Sequence, residues 1–290
     1  MTTTETSTMR PAVRVLTKVP EITVLFWVIK LLTTGMGEAM SDALGQKSVP
    51  LAGAVGILGM TLALRLQLRQ TEYRAGYYWF CVMMVAVFGT MVADGIRDGA
   101  GIGYQVTTPV FALITGAIFY RWYRSEGTLS IHSINTRRRE RFYWAAVLAT
   151  FALGTAAGDL TALAFNLGYW TSVLIFAGII AIPALGWWRL GWNPILSFWL
   201  AYIVTRPLGA SFADGFSKPT NGGLHVGDPL VSLIAFVIFV GLVAYLHITK
   251  CDVQGHDEEH PHLHPQPHAH EHAHIHVHVH DPSLVAEPAE

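Results

Sequence analysis

The sequence predicts an all-α membrane protein of eight transmembrane helices, built as four helical hairpins and followed by a disordered, histidine-rich tail. The first observation is composition, because 52% of the 290 residues are hydrophobic and only 13% are charged. The charged residues gather in short segments between long uncharged runs, as in polytopic membrane proteins. The second is a glycine-to-aspartate spacing that recurs four times near the ends of apolar stretches. The third is a change of composition after Lys250, where histidine becomes the most frequent residue.

Eight apolar stretches are each close to the roughly 20 residues that a helical span needs. They lie at about 22–43, 48–68, 76–96, 105–123, 142–163, 170–190, 195–214 and 229–248. Within a bilayer every backbone polar group has to be satisfied internally, which makes these stretches helices.

Basic residues predict the orientation. One side of the predicted topology carries Arg10, Arg14, Lys18, Arg65, Arg69, Arg74, Arg121, Arg124, Arg137, Arg138, Arg139, Arg141, Arg189 and Lys250. The opposite side carries only Lys47, Arg97 and Lys218. Lysine and arginine accumulate in cytoplasmic loops, so both termini are predicted in the cytoplasm of a bacterial inner membrane protein.

The basic linker at 125–141 divides the predicted membrane region into two four-helix halves, at 21–124 and 142–250. The halves have the same orientation, as in transporters built from parallel repeats. A cytoplasmic N-terminal segment at 1–20 precedes them, and the disordered cytoplasmic tail occupies 251–290.

Each hairpin carries one copy of the repeated spacing. The copies are Gly37 to Asp42, Gly89 to Asp94, Gly154 to Asp159 and Gly209 to Asp214. Glycine five residues before an aspartate lies about 140° away around a helix, so it can admit a neighbouring helix while the aspartate faces elsewhere. A carboxylate in a membrane is costly, and four at equivalent positions predict a binding site. The alternative is that each aspartate lies in water at the headgroup level or caps a helix.

The same helix faces carry further polar residues. Four residues before the aspartates stand Glu38, Thr90, Thr155 and Ala210. Lys30 and Arg206 are the only basic residues deep in the apolar runs, and we expect both to pair with carboxylates of neighbouring helices. Glu38 and the four aspartates exceed these two cations by three charges, which favours binding of a cation or of protons over an anion. Lys30 and Arg206 could also be purely structural partners of the acids.

The tail has the composition of a metal-binding segment. Its histidines are His256, His260, His262, His264, His268, His270, His272, His274, His276, His278 and His280. Imidazole suits zinc, nickel, copper or cobalt, and the tail's prolines and acids argue against a packed domain. The tail could buffer, deliver or sense metal, or be a dispensable low-complexity addition. No tightly bound cofactor is predicted.

Two segments resemble a family of bacterial "membrane-anchored" integral membrane proteins. They are Val19-Pro-Glu-Ile-Thr through Thr33-Thr-Gly-Met-Gly-Glu38-Ala-Met-Ser-Asp42, and Tyr202-Ile-Val-Thr-Arg206-Pro-Leu-Gly-Ala-Ser-Phe-Ala-Asp214. The Thr-Arg-Pro-Leu-Gly-Ala stretch is the most specific part. The resemblance covers the eight-span region, leaves out the tail, and implies the fold without implying an activity.

The leading functional hypothesis is a secondary transporter that exports a divalent metal cation in exchange for protons. The alternatives are a membrane-embedded metal sensor or scaffold, and a transporter of a small anionic or organic solute that Arg206 and Lys30 would clamp. The predicted partners are the lipid bilayer, metal cations and protons, and a homo-oligomer is compatible with the sequence. The chain has no phosphate-cradling loop, zincin motif or nucleophile elbow, so an enzyme is not predicted. Topology explains the arginine clusters, so no nucleic-acid partner is predicted.

Overall fold

A computed structural model describes residues 17–253 of the chain. This part consists of eight long α-helices and short connecting segments, with no β-strand among the described residues. The helices are α1 (Val24–Lys47), α2 (Val49–Arg69), α3 (Ala75–Asp94), α4 (Tyr104–Glu126), α5 (Arg137–Asp159), α6 (Tyr169–Leu190), α7 (Pro194–Ser217) and α8 (Asp228–Thr249). The predicted histidine tail from His256 onward lies outside the described residues.

Helix starts follow from local chemistry. The side chain of Thr23 accepts a hydrogen bond from the amide of Phe26 at the start of α1, and Asn193 accepts from the first amides of α7. Prolines occupy the first turns of α2, α7 and α8, where the missing amide donor does little harm.

Six helical segments are long and apolar enough to cross a membrane. They are Val49–Arg69, Ala75–Gly99, Arg137–Ala164, Tyr169–Leu190, Pro194–Ser217 and Asp228–Thr249. This composition indicates a multi-pass membrane protein. The spans predicted at α1 and α4 fall outside this set, and the inner membrane and the cytoplasmic termini stay predictions.

The helices form two concentric layers. In the inner layer α1, α3, α5 and α7 contact one another in a closed cycle, which ends with α7 against α1. Within the apolar windows of α3, α5 and α7, 61%, 61% and 56% of residues are buried, against 22%, 17% and 17% in α2, α6 and α8. The even-numbered helices therefore form an outer layer whose exposed apolar side chains suit contact with lipid.

Each outer helix packs chiefly against the inner helix of the following repeat. Thus α2 lies on α3, α4 on α5, α6 on α7, and α8 closes the cycle on α1. The predicted grouping into four packed hairpins is not confirmed, since α4 and α6 lie mainly beside the helix that follows them. Hydropathy identifies the helices but does not determine which neighbour each one packs against.

The four repeated glycines lie at the contacts between inner helices. A Cβ atom at Gly37 would meet Ala86 of α3, and one at Gly89 would lie 2.8 Å from the Cβ of Phe151 in α5. A Cβ at Gly154 would meet Arg206 of α7, while one at Gly209 would meet α1. In each case the contacted residue stands three positions before the repeated glycine of the next inner helix, so the four contacts follow one pattern around the cycle. Small residues permit this close approach of helix backbones.

Replacing Gly89 by alanine is expected to destabilise the protein by roughly 1–3 kcal/mol, the usual cost of overpacking. The added methyl group would meet Phe151 near the backbone of α5, so the two helices would have to part. Gly116→Ala in α4 is the control, because a Cβ there meets no atom within 4 Å. Unfolding of the purified protein in mixed micelles measures both changes, and equal stability of the two variants would contradict this packing.

The end of the bundle where the inner helices begin is closed, and we call it the basic end. Lys18 forms a buried ion pair with Glu140 of α5 (Nζ to Oε2, 2.7 Å), and Gln67 of α2 donates to the same carboxylate at 3.1 Å. The Tyr73 hydroxyl donates to the carboxylate of Asp252, beyond α8. These contacts join the segment before α1 and the end of α2 to the start of α5, and the segment after α2 to the segment after α8.

Aromatic side chains fill the interior next to this closure. They belong to one hydrophobic cluster that includes Phe26, Tyr78, Trp79, Tyr143, Trp144, Trp199 and Tyr202. Most neighbouring rings pack edge-on or tilted, as between Tyr78 and Trp79 with centroids 5.3 Å apart, while Tyr78 and Tyr143 are stacked. An apolar, densely packed layer therefore separates the basic end from the opposite half of the bundle.

Candidate functional site

The four repeated aspartates converge at the end of the inner helices opposite the basic end. Together with Glu38 they line one cavity with a volume of about 760 Å³. Glu38, Asp159 and Asp214 are buried, and Asp42 and Asp94 are half-buried. The five predicted carboxylates thus lie at a common cavity and do not splay into outside solvent.

Arg206 connects the residues that lie one helical turn below these aspartates. Its Nη2 donates to Glu38 Oε2 at 2.5 Å, to the hydroxyl of Thr90 and to Thr155 Oγ1 at 2.7 Å. The Thr90 hydroxyl also donates to Glu38 Oε2 at 3.2 Å. One arginine of α7 therefore binds a residue from each of the other three inner helices, at the positions four residues before the aspartates. The expected pairing of Arg206 with a carboxylate of a neighbouring helix is present.

Glu38 belongs to two groups of carboxylates that are close enough to share a metal ion. In the group of Glu38, Asp42 and Asp94, one oxygen from each residue lies within 4.8 Å of the others. The group of Glu38, Asp159 and Asp214 meets the same distance. Oδ1 of Asp214 is buried and has no hydrogen-bond partner among the described residues. The arrangement can bind a cation with oxygen ligands, or hold protons shared among the acids.

Lys30 is not placed as expected. Its ammonium has no hydrogen-bond partner among the described residues and lies over the rings of Phe151 and Tyr202, at 4.0 and 4.2 Å from their centroids. The sequence places Lys30 on the face of Glu38, but two turns below it, where the neighbouring helices present aromatic rings. Cation–π contacts replace the carboxylate partner that we expected.

A π-helical segment follows the aspartate in the second and third repeats. It spans Gly95–Gly99 directly after Asp94 and Leu160–Ala164 directly after Asp159. Such segments are rare and are frequently found at functional sites. The apolar residues that continue past Asp159 in the sequence form this π-helical segment.

The residues at the mouth of the cavity were not predicted from the sequence. Four residues after the aspartates stand Gln46, Asp98, Leu163 and Lys218, and all four line the cavity. This position is the next on the same helix face, so the repeat spacing itself contained the signal.

Of these four residues, Lys218 forms ion pairs with two aspartates. Its ammonium pairs with the carboxylate of Asp42 and with Asp228 Oδ2 at 3.0 Å. Partial burial alone would lower the pKa of Lys218, but the carboxylates of Asp42, Asp214 and Asp228 outweigh burial and raise it above the usual value. Asp228, which begins α8, is itself buried and accepts a hydrogen bond from Gln46 Nε2 at 2.5 Å.

The comparisons with known proteins identify repeats along the same chain. Residues 77–128, 142–191 and 197–251 match the family described as Repeat of Unknown Function (DUF347), and together they cover more than half of the chain. These segments correspond to α3 with α4, α5 with α6, and α7 with α8. The first repeat, α1 with α2, lies outside the matched segments and carries the same glycine-to-aspartate spacing. No curated protein and no solved structure matches the chain.

Proposed function

Since this chain belongs to the Repeat of Unknown Function (DUF347) family, we infer its function from the site and propose a secondary transporter that exchanges a divalent metal cation for protons. The observation that carries this proposal is the convergence of five carboxylates on one cavity inside a helical bundle. Ionisable residues within membrane helices are costly and mark ion pathways or proton relays.

The charge balance supports a cation as substrate. Arg206 pairs with Glu38, and Lys218 pairs with Asp42. Asp94, Asp159 and Asp214 have no ion pair with any described residue, so three carboxylates lack a basic partner. Like charges this close in a low-dielectric site cannot all be ionised at once. A divalent cation or bound protons would neutralise the excess, and one would replace the other during exchange.

The ligand chemistry favours a hard ion. Carboxylate oxygens and threonine hydroxyls suit manganese or magnesium, whereas imidazoles suit zinc-like ions. The histidine tail, which lies outside the described residues, is proposed as a cytoplasmic capture segment, although its imidazoles suit softer, zinc-like ions than the cavity does. The export direction rests on that role of the tail alone.

The geometry gives less support to an anionic or organic solute as the transported substrate. Such a substrate would need Arg206 and Lys30 as a clamp facing the cavity. Arg206 is instead engaged by Glu38 and two threonines, and Lys30 lies between aromatic rings away from the cavity lining.

The decisive experiment measures flux in liposomes that contain the purified protein. Manganese movement is followed with an entrapped metal-sensitive dye, and proton counterflow with an entrapped pH dye, across a panel of divalent ions. We expect coupled metal and proton fluxes in the wild type and a fall to the rate of empty vesicles in Asp159→Asn. Glu72→Gln is the matched control, because Glu72 is an exposed acid at the basic end.

The same proposal predicts a phenotype in cells. A deletion strain grown in excess metal is expected to accumulate that metal, and Asp94→Asn or Asp159→Asn is expected not to restore efflux. Unchanged metal content across the panel, together with no flux in liposomes, would overturn the proposal in favour of a sensor or scaffold.

A further inference from the structure

Lys218 places a positive charge where the cavity opens. It follows the last residue of α7, and its ammonium bridges Asp42 of α1 and Asp228 of α8. The side chains of Lys218 and Asp42 are 22% and 21% exposed, whereas Arg206 and Glu38 are only 1% and 4% exposed. The ion pair of Lys218 with Asp42 is therefore accessible to ions from solution, and the ion pair of Arg206 with Glu38 is not.

Asp42 has two competing roles. Its carboxylate binds Lys218, and it also belongs to the group with Glu38 and Asp94 that is compact enough for a metal ion. A cation bound by that group would compete with the ammonium for the same carboxylate. Asp228 offers the ammonium a second carboxylate, and Gln46 donates to the same oxygen of that carboxylate, Oδ2.

We propose that Lys218 is a tethered cation that occupies Asp42 until a divalent ion displaces it onto Asp228, and that it thereby selects divalent over monovalent ions. This inference rests on the proposed function. A tethered ammonium acts at a high effective concentration, so a free monovalent ion of equal charge competes poorly. A divalent ion has twice the charge and gains the additional carboxylates of the cavity.

Two substitutions have opposite expected effects on affinity. Lys218→Met removes the competitor, so manganese should bind roughly fivefold more tightly, as for the loss of a partly exposed ion pair. Sodium should also begin to compete with manganese in this variant. Asp228→Asn removes the second carboxylate, keeps Lys218 on Asp42 and should weaken manganese binding by a similar factor. Lys218→Arg is the matched control, because it keeps the charge.

The measurement is a manganese titration of the full-length purified protein in detergent, followed by electron paramagnetic resonance, with and without sodium. Thermal unfolding of each variant shows that it is folded, and Lys218→Gln replaces Lys218→Met if the latter does not fold. A wild-type protein that binds no divalent ion would contradict the proposed function. A wild type that binds manganese with the same affinity and sodium response as both Lys218→Met and Asp228→Asn would overturn this inference alone.

Discussion

Replacing Arg206 by methionine is expected to lower the free energy of unfolding by about 3–5 kcal/mol, because it leaves a buried carboxylate without its partner. The Arg206 side chain is 1% exposed and Glu38 is 4% exposed. The substitution also removes the hydrogen bonds to Thr90 and Thr155, which join α7 to α3 and α5. Unfolding of the purified variant by a strong detergent in mixed micelles measures the loss.

A double variant separates charge from packing. Arg206→Met with Glu38→Met removes both members of this buried ion pair, and apolar replacement of a buried ion pair is often neutral or stabilising. We therefore expect the double variant to recover most of the stability while transport stays absent. Arg206→Lys should fall between the wild type and Arg206→Met, since it keeps the positive charge but loses the Nη2 group that contacts the other three inner helices. A double variant as unstable as Arg206→Met would show that lost packing, and not the unpaired charge, causes the effect.

Replacing Glu140 by methionine is expected to cost a similar 3–5 kcal/mol and to open the basic end. The substitution leaves the ammonium of Lys18 buried and removes the acceptor of Gln67. Cys81 provides a reporter, because it lies in the second turn of α3 near this end and is 0% exposed. Its labelling by a maleimide should be faster in Glu140→Met, measured in a Cys251→Ser background because Cys251 is exposed.

Two controls accompany this prediction. Glu72→Gln breaks an exposed ion pair with Arg74 and should change stability by no more than about 1 kcal/mol. Lys18→Met combined with Glu140→Met removes both charges and should regain stability. Unchanged stability and unchanged Cys81 labelling in Glu140→Met would show that this ion pair does not close the basic end.

The glycine-to-aspartate spacing predicted that the four aspartates belong to one site, and the positions four residues earlier added Glu38, Thr90 and Thr155. Arg206 was singled out for a different reason, as one of two basic residues deep in the apolar runs. The partner of Lys30 was not predictable, because it depends on the rotation of neighbouring helices about their own axes. Hydropathy constrains that rotation weakly when a helix is apolar on all sides.

Other features lay beyond sequence patterns for physical reasons. Loops limit how far apart consecutive helices lie, but they do not prevent α4 from packing on α5 in preference to α3. The π-helical turns after Asp94 and Asp159 have no strong local signature, since they differ from the α-helix by one residue in hydrogen-bond register. The contact of Lys218 with Asp228 joins the end of α7 to the start of α8 across a loop of irregular structure.

The order in which outer helices lie on the following inner helix has a consequence for symmetry. Each repeat contacts the next one, and the fourth contacts the first. In an oligomer, this head-to-tail arrangement is called heterologous, and it generates a closed ring. Four separate, identical subunits could form the same ring, but an arginine at the position of Arg206 would then appear four times on the axis, as would the acid at Glu38. When the four repeats are joined in one polypeptide, equivalent positions can carry different residues. Covalent fusion is thus what allows a single arginine to face a single glutamate within a fourfold frame.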